Sequence, residues 1–503
     1  MMERKDEPSA PAQQPVPAGS FEWPADRPED GSADRRKAPP TRGEGRLRRW
    51  LAILGCAIGT AIVFAPAPPG LEPAGKASFA VFVIAVTLWV TQVLPIGVTG
   101  LLAVALLGVL GGLEPAEAYA AFGNPAVFFI LCVFIMAAAL IHSGLSKRLA
   151  LLFLRRFEGS PFRLAAGIMS VAAFMTVWMP NQATAAMLFP ITLEIARAAG
   201  LKAGESSYGR ILFLALAWGA MIGANASILG SARVPLALEL YEQRFASTIT
   251  FAEWLIASLP VVVIGVLVGL AVLRLSMEKE PIDLRGAQRA IEDGVRRLGP
   301  MGPMQWRVAG VMIATVAAWI FLSGQIDRAA IAVIGAVGMF ALGTIKWNDL
   351  DGYIQWGIVL MYGGAIAVGV AIDRTNAANW LVSGLFDRFT LPPFVVLAGL
   401  AILSVALSEV MSNAAAVAVL LPLAFTLTDV TGIHPSLMVL TACFGAGMAF
   451  TLPISSAPNT IAYASGYVGM RNMAVLGSFM TFAQLALLLA VQWLYWPLLG
   501  FLH

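Results

Sequence analysis

Apolar residues come in long runs along this chain, with charged and turn-forming residues gathered between them. Runs long enough, or nearly so, to cross about 30 Å of hydrocarbon lie near residues 50–67, 77–94, 96–113, 124–142, 210–233, 253–273, 307–323, 328–344, 354–372, 435–463 and 472–497. Two further apolar stretches carry a polar interruption: 161–197, split by MPNQ, and 376–430, split by SEVMSN. The flanking spans fix the sides, so each stretch enters and leaves on one side and reads as a re-entrant hairpin. The first opens to the cytoplasm and the second outward. The pattern predicts an all-α polytopic membrane protein with about eleven transmembrane helices plus two re-entrant hairpins, in two inverted-topology repeats.

The interruptions are copies of one motif. VWMPNQATAAMLFP (Val177 to Pro190) and EVMSNAAAVAVLLP (Glu409 to Pro422), aligned on Met179 and Met411, share Met, Asn, two Ala, Leu and Pro at matching places. An odd number of spans separates them, which inverts one copy relative to the other. An inverted repeat with broken apolar segments points to a transporter whose site lies at the repeat interface. Irregular backbone at membrane depth needs protein or water to satisfy it, so the hairpin tips are expected to line a cavity near the midplane.

Composition agrees: 58% of the 503 residues are hydrophobic, 13% are charged, and mean hydropathy is +0.77. Where Lys and Arg lie matters more than the net charge of +3. The cluster RRKAPPTRGEGRLRRW precedes the first span, placing the N-terminus in the cytoplasm. Lys147, Arg148, Arg155, Arg156 and Arg163, then Lys279, Arg285, Arg289, Arg296, Arg297 and Arg307, fall in segments that should share that side. The loops assigned outside, APAPPGLEPAGK and GLEPAEAYAAFGN, contain one Lys between them. Residues 1–48 have the composition of a disordered cytoplasmic tail without a signal peptide's apolar core. The first half is expected over 49–273, a cytoplasmic loop over 274–306 with a short interfacial helix in 280–300, and the second half over 307–503. Cys56, Cys132 and Cys443, and the three histidines, are scattered in a way that offers neither metal spacing nor a disulfide framework.

On the tip motifs, and on WVTQVLPIGVTGLL (Trp89 to Leu102), WGIVLMYGG (Trp356 to Gly364), FAEWLIASLP (Phe251 to Pro260) and TLPISSAPN (Thr451 to Asn459), the chain resembles the divalent anion:sodium symporter family over roughly residues 50–500. The resemblance implies transport of dicarboxylates, citrate or sulfate in a bacterial-type inner membrane. It also implies a homodimer formed through a scaffold domain, and a transport domain that moves as an elevator. No enzymatic activity, nucleic-acid partner or cofactor is expected, apart from Na+ as coupling ion.

Broken helices aim their N-terminal ends, each worth about half a positive charge, and their free N–H groups into such a cavity, which favours anions. The expected substrate-binding residues are Asn181, Gln182, Thr184, Ser412, Asn413 and Arg233. By the resemblance, sodium sits between a tip and an unwound piece of the fifth or tenth span, and the second such site would draw on Ser412, Asn413, Thr451, Ser456 and Asn459. The first half departs from the family pattern: Pro180 stands where the family has Ser, and ILGSARVP (Ile228 to Pro235) puts Arg233 where it has a Gly-Thr-Pro-Pro-Asn break. Arg233 can bind the anion bidentately, stand as a fixed positive charge in place of the first sodium, or lie at the outer end of its span and snorkel. The second option implies reduced or absent sodium coupling. Glu409, beside the second tip, reads as a backbone-binding carboxylate of its own hairpin or as a proton relay. The alternatives to a dicarboxylate carrier are an inorganic oxyanion permease of sulfate or arsenite type and a cation/proton antiporter of the same superfamily.

Overall fold

The structure, a computed structural model, describes residues 42–278, 280, 282–322, 325–377, 380 and 392–500. The expected disordered tail lies mostly outside the described residues, and its end differs from the expectation. Helix α1 already begins at Arg42 and runs to Phe64, because Glu44, Arg46, Leu47 and Arg48 are good helix formers that extend the first apolar run toward its N-terminal side. There follow α2 (Pro73–Thr91), α3 (Ile96–Leu110), α4 (Pro115–Ala120), α5 (Pro125–His142), α6 (Leu145–Leu154), α7 (Pro161–Met175), α8 (Asn181–Ala198), α9 (Ser207–Gly223), α10 (Arg233–Phe245) and α11 (Phe251–Leu275). Then come α12 (Arg285–Arg297), α13 (Pro303–Phe321), α14 (Arg328–Ala341), α15 (Trp356–Arg374), α16 (Pro393–Val410), α17 (Asn413–Thr431), α18 (Pro435–Ala446), α19 (Ala457–Ala464) and α20 (Met470–Leu494). All are helices, and no strand occurs among the described residues.

Many of these helices start where the sequence says they should. Proline is the first residue of α2, α5, α7, α13, α16 and α18, where its fixed φ suits a helix and its missing N–H leaves no bond unmade. Side chains cap others. Thr250 and Glu253 form a reciprocal capping box at α11, and Asp327 Oδ1 accepts from the Ala330 N–H at α14. The interfacial helix expected within 280–300 is α12, which buries Ala287 and Ile291 and leaves its arginines outward.

Eight helices among the described residues are long and apolar enough to span a bilayer. They comprise seven of the eleven expected spans together with α16, the first arm of the second hairpin. The other expected spans are shorter. α3 and α14 have 15 and 14 residues. The fifth and tenth spans are each interrupted by irregular chain, at 224–232 and 447–456.

Contacts divide the helices into two groups. α2, α3, α5, α13, α14 and α15 pack on one another, with α1 against α2. A close approach occurs at Gly364 of α15, where a Cβ would lie 2.3 Å from Gly100 Cα of α3, so the α3–α15 crossing needs glycine on both sides. The second group combines the hairpins α7–α8 and α16–α17 with the broken pairs α9–α10 and α18–α19, and with α11 and α20. Its centre is fully enclosed, every residue of α9 from Ile211 to Gly223 being buried. Large apolar side chains point outward elsewhere, among them Phe64, Val109, Phe321 and Phe482, which suits a lipid solvent and no aqueous one.

Candidate functional site

Each hairpin turns through extended backbone that ends one helix just before the next begins. Pro180, with no N–H to give α7, adopts extended backbone (φ −56°, ψ 144°) and precedes Asn181, the first residue of α8. At the second tip Met411 is extended (φ −134°, ψ 175°), and Ser412 caps α17 by accepting from the Ala415 N–H at 3.3 Å, so Asn413 is the first residue of α17. The motif therefore puts one asparagine at each of two helix N-termini. The N–H groups of Gln182 and Ala183, and of Asn413 and Ala414, take no protein acceptor among the described residues. Nor does the Asn181 side chain, which is 5% exposed. These are open donors at the positive ends of helices, the arrangement that binds anions.

The two breaks lie against these tips. In the first, most of the freed carbonyls already have a protein donor. Trp254 Nε1 donates to Asn225 O (3.0 Å), Ser258 Oγ to Ala226 O (3.1 Å) and the Asn181 N–H to Gly230 O (3.0 Å), while the Tyr362 hydroxyl donates to Ala232 O. Ser227 Oγ in turn donates to Val177 O of the tip at 2.7 Å. Arg233 closes the set. It is fully buried at the start of α10, and its guanidinium donates to Asn225 Oδ1 (2.6 Å), Ser231 Oγ (2.7 Å) and, across the group, Cys443 O of α18 (2.8 Å). The snorkelling reading therefore does not describe it, because the chain continues past it as α10 and leaves no path to an interface. No carboxylate faces it among the described residues.

In the second break the partners are of another kind. The Glu409 carboxylate accepts from the N–H groups of Thr451 (2.9 Å) and Leu452 (3.0 Å). It thus binds backbone of the neighbouring broken helix, not of its own hairpin. Asn459 Nδ2 donates to Ala449 O (3.1 Å), Leu452 O (3.2 Å) and Ser455 Oγ (3.1 Å), which fixes the amide and leaves Asn459 Oδ1 enclosed with no donor. Thr451 Oγ1 and Thr481 Oγ1 are 3.5 Å apart, and Ser456 Oγ accepts from the Asn459 N–H and lies 3.2 Å from Met221 Sδ. Of the first-tip residues named from sequence, Thr184 Oγ1 and Gln182 Nε2 are enclosed without a partner.

A continuous series of contacts joins the tips through both breaks. Ser408 Oγ is 2.8 Å from Asn413 Oδ1 and 2.6 Å from Ala446 O. The next residue, Gly447, has room for no Cβ, which would fall 2.4 Å from Arg233 Nη2 and 2.6 Å from Asn225 Oδ1. From Arg233 the series passes through Ser231 and Gly230 to Asn181. Sequence reasoning missed Asn225, Ser231, Ser408, Thr481 and Tyr362. Of these Asn225 lies inside GANAS, Ser231 inside ILGSARVP, Ser408 inside SEVMSN and Tyr362 inside WGIVLMYGG, while Thr481 left no local signal.

Known proteins share this chain's length and fold. The family model described as sodium:sulfate symporter transmembrane region matches residues 47–502. The chain belongs to the sodium:sulfate symporter family. Among its curated relatives is the sodium-dependent dicarboxylate transporter SdcS of Staphylococcus saprophyticus, 28% identical over 465 residues, covering 85% of this chain and 89% of that one. SdcS of Staphylococcus aureus is 26% identical over 451 residues, covering 83% and 86%. Two solved structures share the fold at 15% identity. One is MtrF of Neisseria gonorrhoeae, with TM-score 0.54 over 89% of this chain and 94% of that one. The other is the YdaH transporter of Alcanivorax borkumensis, with TM-score 0.51 over 89% and 97%.

The protein is accordingly an integral membrane transporter of small anions, as its family is, and not an enzyme. Within this symporter-family chain the two breaks differ chemically. The first holds a covalently tethered cation among oxygen atoms, and the second holds oxygen atoms with an enclosed acceptor still unmatched.

Proposed function

We propose that the protein carries small dicarboxylates as a secondary active transporter, with the anion held between the Asn181 and Asn413 tips. The observation that carries this is the pair of helix N-termini with open N–H groups and an asparagine at each. Two such ends match a linear dianion with a carboxylate at either end. The SdcS relatives are named as sodium-dependent dicarboxylate transporters, which supports the same class. In this reading the protein works as a homodimer in a bacterial inner membrane with its N-terminus in the cytoplasm. The second helix group moves past the first as an elevator, and the hairpins and broken spans form inverted repeats.

Sodium is a co-transported substrate in this reading, and the second break is its place. Asn459 Oδ1, Thr451 and Ser456 offer neutral oxygen atoms there, and in this reading Ser412 and Asn413 of the neighbouring tip complete the set. Arg233 fills the corresponding oxygen set of the first break, so one sodium fewer is required than there are breaks.

The test is uptake of labelled succinate into proteoliposomes, with sodium or choline outside and the interior empty or loaded with succinate. The proposal expects uptake into empty vesicles that rises with the first power of external sodium. A second- or third-power dependence overturns the role of Arg233. Sulfate uptake without succinate uptake moves the substrate to inorganic oxyanions, a reading favoured by the description of the matching family.

A further inference from the structure

α10 belongs to the group of hairpins and broken helices, yet one end of it is tied to three helices of the other group by polar side chains. Glu239 Oε1 accepts from Asn124 Nδ2 at 2.7 Å, at the start of α5. Glu242 Oε2 accepts from Arg328 Nη2 at 2.5 Å, at the start of α14. Arg244 pairs with Asp373 near the end of α15. These residues lie within six positions on a single helix, and each reaches a different partner helix.

The partners are prepared for this. Asn124 is fixed by accepting from the Ala126 N–H (2.8 Å) as it caps α5, which turns its Nδ2 toward α10. Arg328 also donates to Thr248 Oγ1 (2.7 Å), just beyond α10. Arg374, adjacent to Asp373, is held within its own group by Glu117 of α4 at 2.5 Å, so Asp373 is left to Arg244.

The packing at the Arg244 end of the row is loose, where a rigid interface would be filled. A cavity of about 340 Å³ opens beside the Arg244–Asp373 pair, lined by Leu240, Gln243, Arg374 and Pro422 among others. The ion pairs are partly exposed, with side chains 20% and 39% exposed for Arg244 and Asp373, and 15% and 46% for Arg328 and Glu242. Pairs of that kind contribute little each and exchange readily for water. The third contact, Glu239 with Asn124, is the buried and directional one; beside it two individually weak ion pairs, one of them next to open space, make a contact that reports one relative position of the two groups and releases from it.

We infer that Glu239, Glu242 and Arg244 form an electrostatic latch between the two helix groups, which closes on Asn124, Arg328 and Asp373 in the conformation described and must open once in each transport cycle. The inference rests on the elevator reading of the preceding section, but not on the identity of the anion.

Full-length protein with Cys56, Cys132 and Cys443 replaced by alanine is spin-labelled at Glu205→Cys in the second group and Asp351→Cys in the first, both exposed positions, and interlabel distances are measured in lipid. The latch predicts two distance populations. In Arg244→Gln or Asp373→Asn the one matching this structure should fall by about twofold to fivefold, the range a partly exposed pair supports. The exchanged pair Arg244→Asp with Asp373→Arg should restore it. Two populations that none of these variants shifts overturn the latch and leave the elevator standing. A single distance in the parent protein, with and without succinate, overturns the elevator and the latch with it. If the alanine background does not fold, the same distances are read with Cys132 and Cys443, both buried, left in place.

Discussion

Arg233 Nε donates to the carbonyl oxygen of Cys443 at 2.8 Å, joining two broken helices whose sequences lie 210 residues apart. A sodium ion needs oxygen ligands and a positive charge in its place would compete for them. Here Asn225 Oδ1, Ser231 Oγ and Cys443 O already face a guanidinium. The charge is fixed by the chain and moves with it.

Replacing Arg233 with alanine empties this position without removing its oxygen atoms. Transport by Arg233→Ala is expected to gain a further power of dependence on sodium concentration. Initial uptake rates across a sodium series, compared with the parent protein, measure the change. Arg233→Lys keeps the charge but serves fewer than the three acceptors, so it should retain the parent's sodium dependence with lower stability, by about 1–3 kcal/mol for the acceptor left unmatched.

Gly447 faces the same guanidinium. Its φ of −82° suits any residue, so space alone decides. A methyl group there would press on Arg233 Nη2 and Asn225 Oδ1 at 2.4 and 2.6 Å. Gly447→Ala is expected to destabilise the protein by about 1–3 kcal/mol. Thermal unfolding in detergent should show a clear loss, whereas Gly399→Ala in α16, where a Cβ would meet nothing within 4 Å, should show none of comparable size.

Much of this was legible from the chain. The tips were, because Met-x-Asn followed by Ala and Pro recurs within apolar sequence, and both asparagines start helices as that repeat suggests. Seven of the eleven spans were, because each is a long run of apolar residues, and a flanking proline sets the start of some of them, α2, α5 and α13. What joins the halves was not. Cys443 contributes a backbone oxygen, which no residue type announces, and Ser408, the first residue of SEVMSN, gives no local sign that it reaches Ala446 O. Glu409 was recognised as a carboxylate that binds backbone, but its acceptors' partners at Thr451 and Leu452 are set by how α16 packs on the second break, a long-range relationship that local sequence does not carry.

The tips should separate binding from folding. Asn181→Ala removes an amide with no protein partner among the described residues, so it is expected to leave thermal stability near that of the parent while lowering succinate uptake by at least about tenfold, the loss of one good polar contact. Asn413→Ala also strands Ser408, which still has Ala446 O at 2.6 Å, so its stability should fall only slightly. Parallel unfolding and uptake measurements test both, and equal stability losses with no selective loss of uptake would count against a substrate role.

Glu409 distinguishes a structural carboxylate from a proton carrier. Its two oxygen atoms each hold one N–H of the second break, Thr451 at 2.9 Å and Leu452 at 3.0 Å. A carboxylate is suited to this because it accepts on both oxygens, whereas glutamine presents one oxygen and one donor, which would point at an N–H. Glu409→Gln should therefore unfold more easily, by about 1–3 kcal/mol for the donor left unmatched. Its surviving transport should keep the parent's pH profile, because no proton passes through this group. Glu409→Asp retains both acceptors on a shorter stem and should fall between the two in stability. Uptake measured across pH with sodium held constant decides the matter. A pH dependence present in the parent and lost in Glu409→Gln would mean that the carboxylate exchanges its two N–H partners for a proton during transport.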